Sequence, residues 1–305
     1  MTLIRPPRLH PGDLVGIVAA SGAVNRAKLE AGTAILSARY QLQLDEQALL
    51  TRSGFLAGDD AHRLRCLNAA ISSPDLRAII MARGGYGLTR ILPGIDRAAL
   101  RANPKPIIGY SDVTALLAVC AQAGVAAIHG PMVSDLADLG QEDTQRLFDL
   151  LESPDPGVML TGLETLVGGA AQGALLGGNL EVLSRLVGTP WQPDLEGAVL
   201  FIEDVGERPY RVDRALTHLE MAGMLSQLAG VVIGDFTDCD EVREGEVCRP
   251  AVRDVLIERL GRLEVPVALN GGFGHGDRKQ ALPYGVPVRL DADAGVLTAI
   301  VGAVS

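Results

Sequence analysis

The sequence predicts an α/β protein in two parts, and three observations carry that reading. Short apolar runs end in glycine or serine turns, as in "DLVGIVAASG" (Asp13 to Gly22), "LRAIIMARGGYG" (Leu76 to Gly87) and "PKPIIGYSD" (Pro104 to Asp112). Segments with apolar residues at helical spacing lie between such runs, as in "NRAKLEAGTAILSARY". Buried strands alternating with helices argue for a parallel sheet with right-handed crossovers. From Leu151 to Gly173 the text changes to "LESPDPGVMLTGLETLVGGAAQG", with Pro-Asp-Pro-Gly, a Gly-Gly pair and little helical periodicity.

Taken in order, residues 1–150 read as an N-terminal Rossmann-like parallel-sheet domain. "VTALLAVCAQAG" is a helix between the strand of "PKPIIGYSD" and a further strand in "VAAIHGP". Residues 151–173 read as a linker. Residues 174–305 then form a smaller, mixed domain. Here "GALLGGNLEVLSRLVGTP" reads as a turn and then a helix, "AVLFIEDV" as a strand and "YRVDRALTHLEMAGML" as a helix. "LAGVVIGDF" and "VPVALNGGFGHG" supply more strands, and "LPYGVPVRLDADAGVLTAIV" alternates and turns like a β-hairpin.

Composition narrows the function classes. The 305 residues are 48 % hydrophobic and 21 % charged, which suits a substantial core and argues against disorder. Aromatics are only 4 %, so Ala, Val, Leu and Ile must build that core. Lys and Arg number 27 against 37 Asp and Glu, a formal net charge of −10, with no basic block. A nucleic-acid or anionic-membrane partner would find no cationic footprint. The start, "MTLIRPPRLHPGD", has no apolar core of a signal peptide, and no apolar run reaches the ~18 residues of a membrane span. Cys66, Cys120, Cys239 and Cys248 lack Cys-x-x-Cys spacing, so no zinc site is expected. A reducing cytoplasm fits this cysteine usage.

Open α/β sheets place their sites in loops beyond the carboxyl ends of strands. Ser111, in "GYSD", has two readings there. One is a helix cap, accepting a backbone N–H. The other is a nucleophile on a tight strand-to-helix turn, although Gly-x-Ser-x-Gly is absent. A nucleophile needs a base and a group that orients the base. His10 and His62 sit in polar text and His218 on an amphipathic helix. His129 and His275 follow apolar runs, and His275 is flanked by glycines in "GGFGHGD". Glu203 ends "AVLFIE", where an acid is costly without a partner, and Asp204 is its rival. Gly84, Gly85 and Gly87 follow a strand, so their amides would face an oxyanion or simply form a turn. The spacing is not that of a dinucleotide or phosphate loop, and no cofactor is expected.

"RGGYG", "GYSD", "HGP", "GGNL", "GTPW", "IEDVGERPYRVDR" and "GFGHGD", in this order, resemble the LD-carboxypeptidases. These are serine peptidases that include muramoyl-tetrapeptide carboxypeptidases and, more distantly, microcin-immunity peptidases. The resemblance covers nearly the whole chain and favours the nucleophile reading of Ser111. It implies a Ser-Glu-His triad of Ser111, Glu203 and His275, and an oxyanion hole from the amides of Gly85 and Asp112. It implies a β-rich C-terminal domain, a homodimer and no metal. The implied reaction is removal of the terminal D-alanine from murein tetrapeptide during cytoplasmic wall recycling. A triad carried by both domains would be completed as they close, with the 151–173 connection mobile. Arg83 and Arg208 are candidate contacts for substrate carboxylates, because a guanidinium binds a carboxylate bidentately. Trp191 reads first as a packing aromatic and second as a ligand platform. A microcin-immunity-like hydrolase of aminoacyl-nucleotide amides, or a non-catalytic binding protein on the same scaffold, are the competing expectations.

Overall fold

The computed structural model describes residues 2–155 and 157–305. The chain forms two compact units. The first comprises residues 2–155 together with 280–285 and 302–305, and the second comprises 157–279 and 286–301.

The first unit is built on the apolar runs that the sequence marks. β1 (Leu14–Val18), β2 (Gln41–Gln43), β3 (Ala78–Met81), β4 (Ile107–Gly109) and β5 (Ala127–His129) pair in parallel, in the order β5-β4-β3-β1-β2. Ala78, Ile79, Ile80 and Met81 are all fully buried, as expected of a strand covered on both faces. Ile79, Ile80 and Met81 each contribute about 1.5–3 kcal/mol by leaving water. The flanking helices start where short polar side chains cap them. Asn25 accepts from the Lys28 amide and Asp59 from the His62 amide.

The second unit holds an eight-stranded mixed sheet. Its first strands are β6 (Val158–Leu160), β7 (Glu164–Val167), β8 (Ala170–Asn179), β9 (Val199–Val205) and β10 (Gly230–Thr237). A small ribbon, β11 (Val242–Arg243) with β12 (Glu246–Val247), precedes β13 (Val267–Leu269). β8, β9, β10 and β13 are parallel neighbours, and β7 closes one edge antiparallel to β13. The chain then returns to the first unit. β14 (Leu282–Tyr284) adds an antiparallel edge beside β5. β15 (Pro287–Asp291) and β16 (Val296–Ala299) complete the second sheet as the expected hairpin, with β15 against β8 and β16 against β6.

Three assignments differ from the sequence reading. The stretch 151–173 holds a helix end, β6, β7 and the start of β8, so it is sheet rather than linker. "GALLGG" is the buried half of β8 rather than a turn. Its glycines serve close packing: a Cβ on Gly177 would stand 1.8 Å from the Phe201 carbonyl oxygen. "LPY", contiguous with the hairpin in sequence, belongs to the first unit.

Candidate active site

Ser111 follows β4 directly and opens a short 3₁₀ turn, Ser111–Val113, that leads into the helix Thr114–Gln122. Its φ is +62°, left-handed backbone that costs a non-glycine residue about 1–2 kcal/mol. Neither turn has a side-chain cap bond, so Ser111 is not the helix cap of the first reading. It is a strained elbow that lifts its hydroxyl from the end of a strand.

The glycine turn after β3 lies against this elbow. A Cβ on Gly84 would stand 2.9 Å from Ser111 Cβ and 3.1 Å from Ser111 Oγ. The Gly84 carbonyl accepts from the Gly22 amide at 2.9 Å, which ties the turn to the loop after β1. Gly85 and Gly87 have φ of +105° and +133°, conformations that only glycine adopts freely. Asp112 supports the turn from below. Its carboxylate is 2 % exposed and accepts from the Leu88 amide at 2.9 Å. Burial pushes this carboxyl upward in pKa, against the pull of the Leu88 amide.

The sequence reading missed a residue here. Arg63 is fully buried, and its Nη1 donates to the carbonyls of Ala20 at 2.6 Å and Gly87 at 2.8 Å. It also pairs with Asp60, which Arg90 grips as well. One guanidinium thereby binds the loop after β1 to the glycine turn. The available signal was its place on the buried stripe Arg63, Leu67, Ala70 and Ile71 of the helix Asp60–Ser72.

In the second unit, Glu203 and His275 meet. Glu203, near the end of β9, is fully buried, and its Oε2 lies 2.7 Å from His275 Nδ1. A carboxylate only accepts, so Nδ1 carries a proton, and in the neutral ring Nε2 holds the lone pair. Gly274 allows this approach. Its φ is +110°, and a Cβ there would stand 2.7 Å from Glu203 Oε2. Phe273, also fully buried, anchors the loop through an edge contact with Phe201 at 5.6 Å.

Asp204 faces the other way. Its oxygens accept from Asn179 Nδ2 at 2.9 Å and from the amides of Glu181 at 3.0 Å and Val205 at 2.8 Å. Burial pushes its pKa up to about 7. A further acid, Asp235, was missed. It ends the apolar run of β10 as Glu203 ends that of β9, and its amide donates to the Phe273 carbonyl at 2.9 Å. A Cβ on Gly276 would stand 2.3 Å from Asp235 Oδ2, so this acid lies against the histidine loop. Burial first, and the Glu203 charge second, raise its pKa.

The remaining candidates are placed as follows. Arg83 is exposed but spends Nη1 on the Ala23 carbonyl at 2.6 Å. Arg208 precedes the helix Pro209–Met221, with Nη1 3.6 Å from Glu241. Trp191 is half-buried in the turn after the helix Leu180–Leu186. His129 is buried in β5 beside the Tyr110 ring, a core position. All four cysteines are free thiols, and no cluster of metal-ligating side chains occurs among the described residues. No helix among them is long and apolar enough to cross a membrane.

This arrangement has relatives. Residues 15–130 match the LD-carboxypeptidase N-terminal domain, and residues 172–290 match the LD-carboxypeptidase C-terminal domain. The murein tetrapeptide carboxypeptidase of Pseudomonas aeruginosa is 34 % identical over 92 % of this chain and 93 % of its own length. The crystal structure of muramoyltetrapeptide carboxypeptidase from Oxalobacter formigenes superposes with a TM-score of 0.83 at 31 % identity, covering 95 % of this chain and 98 % of that one. The microcin C7 self immunity protein MccF shares the fold, with a TM-score of 0.90 at 22 % identity over 99 % of this chain and all of its own. Two matched domains in order, with full-length relatives above 30 % identity, establish that the chain belongs to the LD-carboxypeptidase family.

Proposed function

We propose that this protein is a serine-type LD-carboxypeptidase that removes the terminal D-alanine from murein tetrapeptide. The observation that carries the reading is the 2.7 Å bond between buried Glu203 and His275 Nδ1, which prepares Nε2 as a base. In this mechanism His275 Nε2 takes the Ser111 proton while Oγ attacks the carbonyl of meso-diaminopimelate. The amides of Gly85 and Asp112 hold the oxyanion. His275 then protonates the departing D-alanine, and water hydrolyses the ester by the same base. Glu203 holds the ring tautomer and stabilises the imidazolium. The strain at Ser111 supports its role, since elbows of this kind present nucleophiles. Arg83 and Arg208 are proposed substrate-carboxylate contacts, and Trp191 a ligand contact. No metal or other cofactor enters these steps. The family relationship also supports a cytoplasmic homodimer acting in wall recycling, which cell fractionation and light scattering would check.

The test is incubation with L-Ala-γ-D-Glu-meso-diaminopimelate-D-Ala and mass measurement of the product. Loss of one D-alanine is expected, with an aminoacyl-sulfamoyl nucleotide left intact. Ser111→Ala should fold and retain only about 10³-fold acceleration over water, the part that oxyanion hole and binding supply. Turnover near wild type in that variant would sink the mechanism.

A further inference from the structure

We infer that Phe55 and Tyr86 form a platform for the sugar ring of a muramoyl-linked peptide at the rim of the Ser111 turn, an inference that rests on Ser111 being the nucleophile. The chain has only five Phe, five Tyr and one Trp. Most of its aromatic rings build the core, yet Phe55 is 66 % exposed and Tyr86 48 % exposed. Their ring centroids are 5.9 Å apart with the planes tilted by 49°. Adjacent exposed rings make a contiguous apolar surface, the kind that marks contact sites where single exposed residues do not.

The pair belongs to the same loop system as the nucleophile. Tyr86 stands between Gly85 and Gly87. The Phe55 carbonyl accepts from the Ala23 amide at 2.9 Å, one residue after the Gly22 amide that holds Gly84. Gly84 in turn abuts Ser111. Tyr86 is two residues past Gly84, so its Cα lies within about 7 Å of a glycine that touches Ser111, and its ring extends outward from there.

Reach selects the part of the substrate that meets this platform. The leaving group is one residue and spans about 3.5 Å. The acyl arm runs through three residues, about 10 Å or more, before it ends at the lactyl ether of the sugar. Tyr86 Cα stands up to about 7 Å beyond Gly84 and its ring reaches further, so the outer edge of the pair lies within the span of that acyl arm. Chemistry selects again. The arm itself is a small alanine, a γ-linked acid and a diamino acid, none with a broad apolar face. The pyranose presents one through its axial C–H groups, which stack on an aromatic face. Phe55 and Tyr86 both supply ring face, while the Tyr86 hydroxyl is engaged by Arg90.

The test compares kcat/KM for muramoyl-tetrapeptide and bare tetrapeptide in wild type, Phe55→Ala, Tyr86→Ala and Tyr86→Phe. Both positions are solvent-exposed, so the variants fold, which circular dichroism checks. The wild-type ratio of the two constants should favour the muramoyl substrate. It should fall about tenfold in each alanine variant, through KM, and be retained in Tyr86→Phe. Turnover with an unmoved ratio, or an equal loss on both substrates, would overturn this inference alone. So would an unmoved ratio with a change of oligomeric mass in Phe55→Ala, which would make the pair a subunit contact. Wild-type turnover of neither substrate would overturn the peptidase reading and this inference with it.

Discussion

Two neighbouring carboxylates on β9 have opposite duties. Side chains alternate along a strand, so Glu203 and Asp204 face different sides. Glu203 spends one oxygen on His275, whereas Asp204 spends both on Asn179 and Glu181 at the start of the preceding helix and on the Val205 amide beside it. The sequence placed both acids at a strand end, but their partners lie far along the chain and were not readable from spacing. On the proposed mechanism Glu203→Gln removes the charge that would stabilise the imidazolium, and it should lower kcat by about 10³–10⁴-fold. Asp204→Asn should cost far less activity and show itself in stability instead. The Asp204 carboxyl titrates near 7 in the folded chain, against an ordinary 3.8. Below pH 4 it is protonated in folded and unfolded chains alike. As pH rises from 4 to 7 the unfolded chain releases the proton while the folded chain keeps it, so this group lowers stability through that window. Asparagine does not titrate. The melting temperature of Asp204→Asn, relative to wild type, should therefore become more favourable between pH 4 and pH 8. Parallel melting curves across that range would contradict the assignment.

At the scale of elements, the legible parts were those with a single local cause. Parallel strands buried on both faces read as unbroken apolar runs, so β1, β3, β4, β5, β9 and β10 stood out. The segment 151–173 did not, because its strands are short, carry Pro and Gly nearby and alternate weakly. In β8 the glycines that normally announce a turn answer instead to a neighbouring backbone at Phe201. The elbow at Ser111 was half legible: a serine between strand and helix reads as cap or nucleophile, and the missing cap bond and the +62° φ, which argue against the cap, are not visible in the sequence. The glycine turn beside it gives a direct test of element placement. Gly84 does not need left-handed backbone, so alanine there need not strain the chain. Its methyl would crowd Ser111 Cβ at 2.9 Å and Oγ at 3.1 Å, with Met132 Cε at 3.3 Å. A displacement of about 1 Å at a nucleophile costs on the order of 10²-fold in rate. Gly84→Ala should therefore lose about that much kcat while melting within a few degrees of wild type. Stopped assays at saturating substrate check the first point and calorimetry the second.

The whole molecule is two units threaded by one chain that crosses between them more than once. No local pattern announces such a return, because β14 and β15 look like one continuous hairpin arm and differ only in which strand each finds as partner. The first unit also recruits residues 302–305. Val304 is fully buried, the Ser305 amide donates to the Pro6 carbonyl at 2.8 Å, and the Arg8 amide donates to the Ser305 carbonyl at 3.1 Å. Each unit has its own sheet and its own apolar core, which is the condition for partly independent stability. Val304→Asp tests this away from every proposed catalytic residue. An unpaired carboxylate at that position should cost about 3 kcal/mol or more. For a body of this size that lowers the melting temperature by roughly 6–12 °C. The loss should be uneven. Hydrogen exchange should accelerate in β1, β3 and β4, whose unit the substitution enters, while the amides of β8 and β9 keep most of their protection. Equal loss of protection in both sheets would show instead that the two units unfold as one cooperative block.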